Sequence, residues 1–216
     1  MHLLNARVEA ATGEGYRLVV LETRRGVVEA RHYPAEGGTS GAVWIGGVGG
    51  GFDTPARSLY PRLADELTRH GIQSLRVRFR HPAALEEAAH DTLAGIEFLA
   101  RQGAERMAVI GHSFGGAVAI QAAAARPDLV RTVVTLATQG YGADAAQDLD
   151  ASLLLIHGEA DEVLAPQCSL YVHRIAREPK KLVLVPGTGH CLDETAEAVC
   201  HEVRDWLTAR LGMGAV

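Results

Sequence analysis

Apolar residues recur along this chain in two distinct periods. Apolar runs at residues 42–45, 107–110, 153–156 and 182–185, and the valine-rich segment 130–136, predict short strands buried on both faces. Between them the period changes to that of a helix. Leu85, Ala88, Ala89, Thr92, Leu93, Ile96, Leu99 and Ala100 fall on one stripe, which predicts an amphipathic helix with that side inward. Leu59, Leu63 and Leu67 repeat the pattern in a helix that begins at Pro55 and is stopped by Gly71. A strand follows from 72 to 79, helices are expected over 117–125 and 167–176, and Ala196, Val199, Cys200, Val203, Trp206 and Leu207 form the inner face of a last helix. Ahead of all these, residues 16–22 and 27–33 read as two strands joined by a turn at Arg24-Arg25-Gly26.

Strands that alternate with helices connect by right-handed crossovers and build a largely parallel sheet covered on both faces. The expected fold class is therefore α/β, with the opening hairpin as an antiparallel edge. No repeat, low-complexity segment or linker divides the chain, so one domain over residues 1–216 is expected. Ligands of such sheets bind beyond the carboxyl ends of the strands. That rule singles out the loops after residues 45, 79, 110, 136, 156 and 185.

The third of these loops is Gly111-His112-Ser113-Phe114-Gly115-Gly116. A serine between glycines at a sharp strand-to-helix turn is the nucleophile-elbow pattern Gly-x-Ser-x-Gly. Its backbone is strained, so its neighbours must be too small to clash. The turn also sets the hydroxyl at a helix N-terminus, where free N–H groups favour negative charge. A serine alcohol is a poor nucleophile at neutral pH without an adjacent base. His190, in Pro186-Gly187-Thr188-Gly189-His190, suits that role, and a carboxylate is then needed to orient its imidazole. Asp161 is the choice for the acid, with Glu159, Glu162 and Asp193 as rivals close in sequence.

The order Ser113, Asp161, His190, together with the order of elements, resembles the α/β-hydrolase superfamily over nearly the whole chain. The small carboxylesterases without a lid and the dienelactone-hydrolase-like proteins are the nearest in pattern. The resemblance implies that His-Gly-x-x-Asp carries the acid at Asp161 and that Gly-x-Gly-His carries the base at His190. One departure stands out: dienelactone hydrolases use a cysteine nucleophile, where this chain has Ser113. The family's His-Gly-x oxyanion segment aligns with Gly46-Gly47-Val48, which makes the backbone N–H groups of Val48 and Phe114 the expected oxyanion hole. His112 and His157, in the same motifs, are read as structural. No cap domain fits between Leu136 and Leu153, so an open groove is expected, with substrate-binding side chains Phe52, Phe114, Tyr141, Val163, Leu164 and Leu192.

The implied activity is a serine hydrolase, a carboxylesterase acting on an ester or thioester through an acyl-enzyme. Acyl transfer, amide hydrolysis and perhydrolysis use the same triad. A non-catalytic binding scaffold on this fold is the alternative of another class. No cofactor and no metal are implied, since the ten histidines lack a metal-ligand spacing such as His-Glu-x-x-His.

Composition narrows the partners further. With a net charge of −5 and both signs interspersed, the chain has no nucleic-acid footprint, and no apolar run is long enough to span a membrane. Its expected partner is a small-molecule ester, its expected state a monomer or small homo-oligomer. No secretory signal is visible at the N-terminus, and three cysteines at irregular spacing fit a reducing, cytoplasmic setting. Cys200 falls on a core stripe, while Cys191, next to His190, either lines the site or is a small apolar filler, the filler being the favoured reading. Arginines alternate at 76, 78 and 80 in a strand that should be buried. Arg78 or Arg80 either meets an anionic substrate group or pairs with helix carboxylates such as Glu86 or Glu87, and the pairing is the favoured reading.

Overall fold

A computed structural model describes residues 3–212. Nine strands form one sheet in the order β1-β2-β3-β5-β4-β6-β7-β8-β9. From β5 (Ile72–Val77) through β4 (Ser40–Ile45), β6 (Arg106–His112), β7 (Val130–Leu136) and β8 (Ser152–Gly158) to β9 (Lys180–Val185) every pairing is parallel. Three antiparallel strands extend the β5 edge: β1 (Leu3–Ala11), β2 (Arg17–Thr23) and β3 (Gly26–Tyr33).

Strand β1 departs from the sequence expectation. It lies at the sheet edge with most of its residues exposed. A strand packed on so little core carries no apolar alternation, which is the signal a strand is read from. Gly26 opens β3, so the hairpin turn is the two-residue Arg24-Arg25.

The central strands are apolar because helices cover both faces. On one face α2 (Leu85–Arg101), α3 (Phe114–Ala124) and α4 (Gln167–Ile175) pack over Val43, Leu75, Val109, Val133 and Leu155. On the other, α1 (Pro55–Glu66) and α5 (Ala196–Leu211) cover Trp44, Ile110, Val134 and Ile156. The α2 stripe sends Ala88, Ile96 and Leu99 into the first core. Each large apolar side chain so buried contributes roughly 1.5–3 kcal/mol.

Two segments near the carboxyl edge are irregular. Ala56, Arg57 and Ser58 have φ of 49°, 48° and 70°, so α1 is regular only beyond them. The expected strand through Phe79 ends at Val77, and Phe79 N–H instead donates to Gly50 O at 2.8 Å. The chain leaving β5 thus holds the glycine-rich loop after β4.

Candidate active site

Ser113 sits between β6 and α3 with φ 56° and ψ −119°, a conformation that costs a non-glycine residue energy and persists only where its surroundings fix it. They do so by hydrogen bonds: Ser113 N–H donates to Leu136 O at 2.8 Å, and Ser113 O accepts from Gly116 N–H at 3.0 Å. The flanking glycines are a steric requirement. A Cβ on Gly111 would strike the carbonyl of Gly115, and one on Gly115 would strike the carbonyl of Gly46. Ser113 is largely buried, at 9% exposure, and Phe114 is the first residue of α3, so its amide has no acceptor within the helix.

The loops after β8 and β9 bring Asp161 and His190 together. His190 Nδ1 lies 2.7 Å from Asp161 Oδ2. Asp161 Oδ1 accepts the N–H groups of Val163 and Leu164, each at 2.8 Å. Burial raises the pKa of this carboxyl, but the hydrogen bonds from His190, Leu164 and Val163 outweigh it and hold the pKa below the ordinary aspartate value. His112, one residue before the serine, joins this pair to the elbow. Its Nε2–H donates to His190 O at 3.0 Å, and the two rings lie 4.8 Å apart. His112 thus ties the residue that precedes Ser113 to the loop that carries His190.

The glycine-rich loop closes the site from the β4 side. A Cβ on Gly47 would touch Ser113 Cβ at 3.7 Å. Gly47 N–H donates to Asp53 Oδ2 at 2.9 Å, Tyr60 Oη–H to Ile45 O at 3.1 Å, and the Arg76 guanidinium to Phe52 O. Sequence reasoning missed the roles of Asp53, Tyr60 and Arg76, because their partners are backbone atoms of the end of β4 and of the loop after it, whose shape no motif encodes.

The other expected positions are scattered. Leu192 is a correction: it is fully buried against α1 and α5 in the second core, so it packs inward and offers no substrate surface. Phe52 is turned toward the hairpin, its ring 4.3 Å from the Arg31 guanidinium. Tyr141 and Val163 stand exposed on the loops after β7 and β8, and Leu164 is half-buried between Asp161 and His157. Val48 is exposed at the tip of the glycine-rich loop.

Arg80 pairs with Asp91 at 2.5 Å and Glu87 at 2.7 Å, and Arg78 with Glu29 at 2.8 Å. The favoured pairing with helix carboxylates thus describes Arg80, Asp91 being a partner the sequence reading did not name. Cys200 is buried in the second core, whereas Cys191 is exposed and no filler. Among the described residues no cluster of His, Cys, Asp and Glu is suited to a metal, and no helix is long and apolar enough to cross a membrane.

The family described as alpha/beta hydrolase fold matches residues 80–153, the stretch that contains the elbow. Solved structures match over nearly all of the chain. A dienelactone hydrolase from Anabaena variabilis is similar with a TM-score of 0.78 at 19% identity, covering 95% of this chain and 99% of its own. The fold is the α/β-hydrolase fold. The esterase Pf2001 of Pyrococcus furiosus shares it with a TM-score of 0.77 at 17% identity, covering 98% of both chains. XC6422 of Xanthomonas campestris, an α/β serine hydrolase without a lid, matches with a TM-score of 0.73 at 18% identity over 94% of this chain and 98% of its own. Among curated proteins none matches the chain in sequence. An α/β-hydrolase fold without a cap agrees with the connection from β7 to β8, whose one element is a 3-10 turn at Asp144–Asp148. Pro-Gly-Thr-Gly-His and His-Gly-x-x-Asp occupy adjacent loops of this fold because β9 pairs with β8 in parallel register.

Proposed function

We propose that this chain is a serine hydrolase that cleaves a carboxylic ester or thioester. The reading is carried by one observation: the hydrogen bond of 2.7 Å between Asp161 and His190 lies at the sheet edge where Ser113 is held at a strained elbow. His190 Nε2 takes the proton of the Ser113 hydroxyl as Oγ attacks the substrate carbonyl carbon. The charge that develops on the carbonyl oxygen is met by two backbone N–H groups. Phe114 supplies one from the start of α3. Val48 supplies the other, since the amide of Gly47 is already engaged by Asp53. His190 then protonates the leaving alcohol or thiol, and water repeats the sequence on the acyl-enzyme.

The solved structures described as an esterase, a dienelactone hydrolase and a serine hydrolase without a lid support this class of reaction. Ser113 in place of a cysteine argues against the dienelactone reaction itself. A short β7–β8 connection and the exposed Tyr141 and Val163 favour small acyl groups in an open groove over long buried chains. Labelling with a fluorophosphonate probe tests the reading. Wild-type protein should label and hydrolyse short p-nitrophenyl esters, and Ser113→Ala should do neither. An unlabelled, inactive wild type would overturn it in favour of a binding scaffold.

A further inference from the structure

Gly46 stands where the family's His-Gly-x segment has a histidine, and the space a side chain would need there is already filled. A Cβ on Gly46 would overlap Asp53 Oδ1 and lie 2.8 Å from Asp53 Cγ. Gly46 is not among the residues held at positive φ, so its backbone does not call for glycine; the carboxylate does. From that position Asp53 Oδ2 accepts the N–H of Gly47 at 2.9 Å. Gly47 is buried against the elbow, and a Cβ on it would lie 3.7 Å from Ser113 Cβ. Its amide is thus occupied, while the next one along the chain, Val48 N–H, has no acceptor among the described residues.

An aspartate in this place carries a cost. Its charge lies close to the elbow, where negative charge would develop on a substrate oxygen, and the two repel. Arg76 offsets it from β5. Arg76 is 4% exposed, its Nε has no partner among the described residues, and its Nη2 donates to Phe52 O, one residue before Asp53. The Tyr60 hydroxyl, which donates to Ile45 O, feels both charges in opposite senses.

We infer that Asp53 is a positioning residue for the oxyanion hole. Its carboxylate fills the side-chain space of residue 46 and takes the amide of Gly47, which leaves Val48 N–H as the donor the loop offers. Arg76 offsets the charge and holds the same loop at Phe52 O. The inference rests on the hydrolase reading and deepens it by naming the side chain that selects the oxyanion donor. Gly46, Gly47 and Asp53 then form one device, in which the missing side chain at 46 is what lets the carboxylate reach the next amide.

Asp53→Ala removes the acceptor and frees Gly47 N–H. On p-nitrophenyl acetate its kcat should fall roughly 10²-fold, the cost of a group set about 1 Å out of place, with KM little changed. Asp53→Asn keeps a carbonyl oxygen for Gly47 and should stay within roughly three-fold of the wild type. Gly46→Ala displaces the carboxylate without changing residue 53. It should lose activity as Asp53→Ala does, and the two together should cost little more than either alone. A trifluoromethyl ketone, whose adduct with Ser113 carries an oxyanion, should lose affinity by the same factor as kcat/KM. Amide hydrogen exchange by NMR in the Ser113→Ala protein reads the loop without turnover: Gly47 should be protected and Val48 not, and adding Asp53→Ala should release Gly47. Failure of the hydrolase reading shows as a wild type without turnover. Failure of this inference shows as an active enzyme whose kcat and Gly47 exchange are unmoved by Asp53→Ala. If Asp53→Ala does not fold, Gly46→Ala and Asp53→Asn carry the test. The inference is also overturned if Asp53→Asn loses as much as Asp53→Ala, or if the losses fall on KM in place of kcat.

Discussion

His112 donates its Nε2–H to the carbonyl of His190 at 3.0 Å, and the two rings lie 4.8 Å apart. Two imidazoles this close do not both hold a proton at moderate cost, because like charges repel strongly where water is excluded. Burial decides which ring stays neutral. It lowers the pKa of His112 against the opposing hydrogen bond to His190, so the His112 ring is the one kept neutral. The residue before Ser113 thereby serves as a neutral prop for the loop that carries His190.

That arrangement makes stability depend on pH. The unfolded chain protonates His112 as pH falls through about 6.5, while the native ring resists. Its contribution is complete above that value and is lost progressively below it, toward the lowered native pKa. His32, also lowered by burial, acts in the same direction. Melting temperatures from about pH 8 to about pH 5 should fall for the wild type and fall less for His112→Gln. Parallel curves for the two proteins would show that His112 is not the group responsible.

Asp161→Asn should keep the loop but reverse the sense of the hydrogen bond to His190. An amide that donates to Nδ1 selects the tautomer with its proton on Nε2, which cannot accept from serine. In the Ser-His-Asp template the equivalent change costs on the order of 10⁴ in kcat, and a loss of 10³–10⁴ is expected here. Far-ultraviolet circular dichroism should be unchanged. A loss below ten-fold on p-nitrophenyl acetate would move the acid to Glu159, Glu162 or Asp193.

The alternation of apolar runs with helical stripes made the α/β order and the site-bearing edge legible, because a buried parallel strand and an amphipathic helix each leave a periodic trace. Gly111, Ser113 and Gly115 were legible for a steric reason that acts within a few residues. Strand β1 was not, since its edge position buries too little to impose a pattern. Leu192 was misjudged because its neighbour His190 faces the site, while its own φ of 59° turns it into the second core. Asp53 left no trace, and Arg76 showed only as an arginine in a strand expected to be buried, because they bind amide and carbonyl groups, which every residue carries.

Arg80 should act on folding and leave substrate choice alone. Its side chain is 8% exposed and that of Asp91 is wholly buried, with 2.5 Å between them. Arg80→Met leaves the Asp91 carboxylate without its guanidinium, with only the amide of residue 80 still donating to it, and breaking a buried pair costs about 3–5 kcal/mol. Urea denaturation should report that loss. The residual activity of folded protein should fall equally on neutral and anionic esters. A selective loss on anionic esters would instead place Arg80 in the substrate site.

Val48 separates a backbone role from a side-chain role. Val48 is 56% exposed, so Val48→Ala removes little packing and should leave activity near that of the wild type. Val48→Pro removes the N–H assigned to the oxyanion and also fixes φ at residue 48, beside Gly47, whose own amide is held by Asp53. Loss of one oxyanion donor costs roughly 10²–10³ in kcat, and KM should change far less because the charge it stabilises exists only in the transition state. The glycine-rich loop should remain in place, since Arg76 and Tyr60 grip it at Phe52 O and Ile45 O, away from residue 48. Equal activity in Val48→Pro and Val48→Ala would assign the second donor to another amide of that loop.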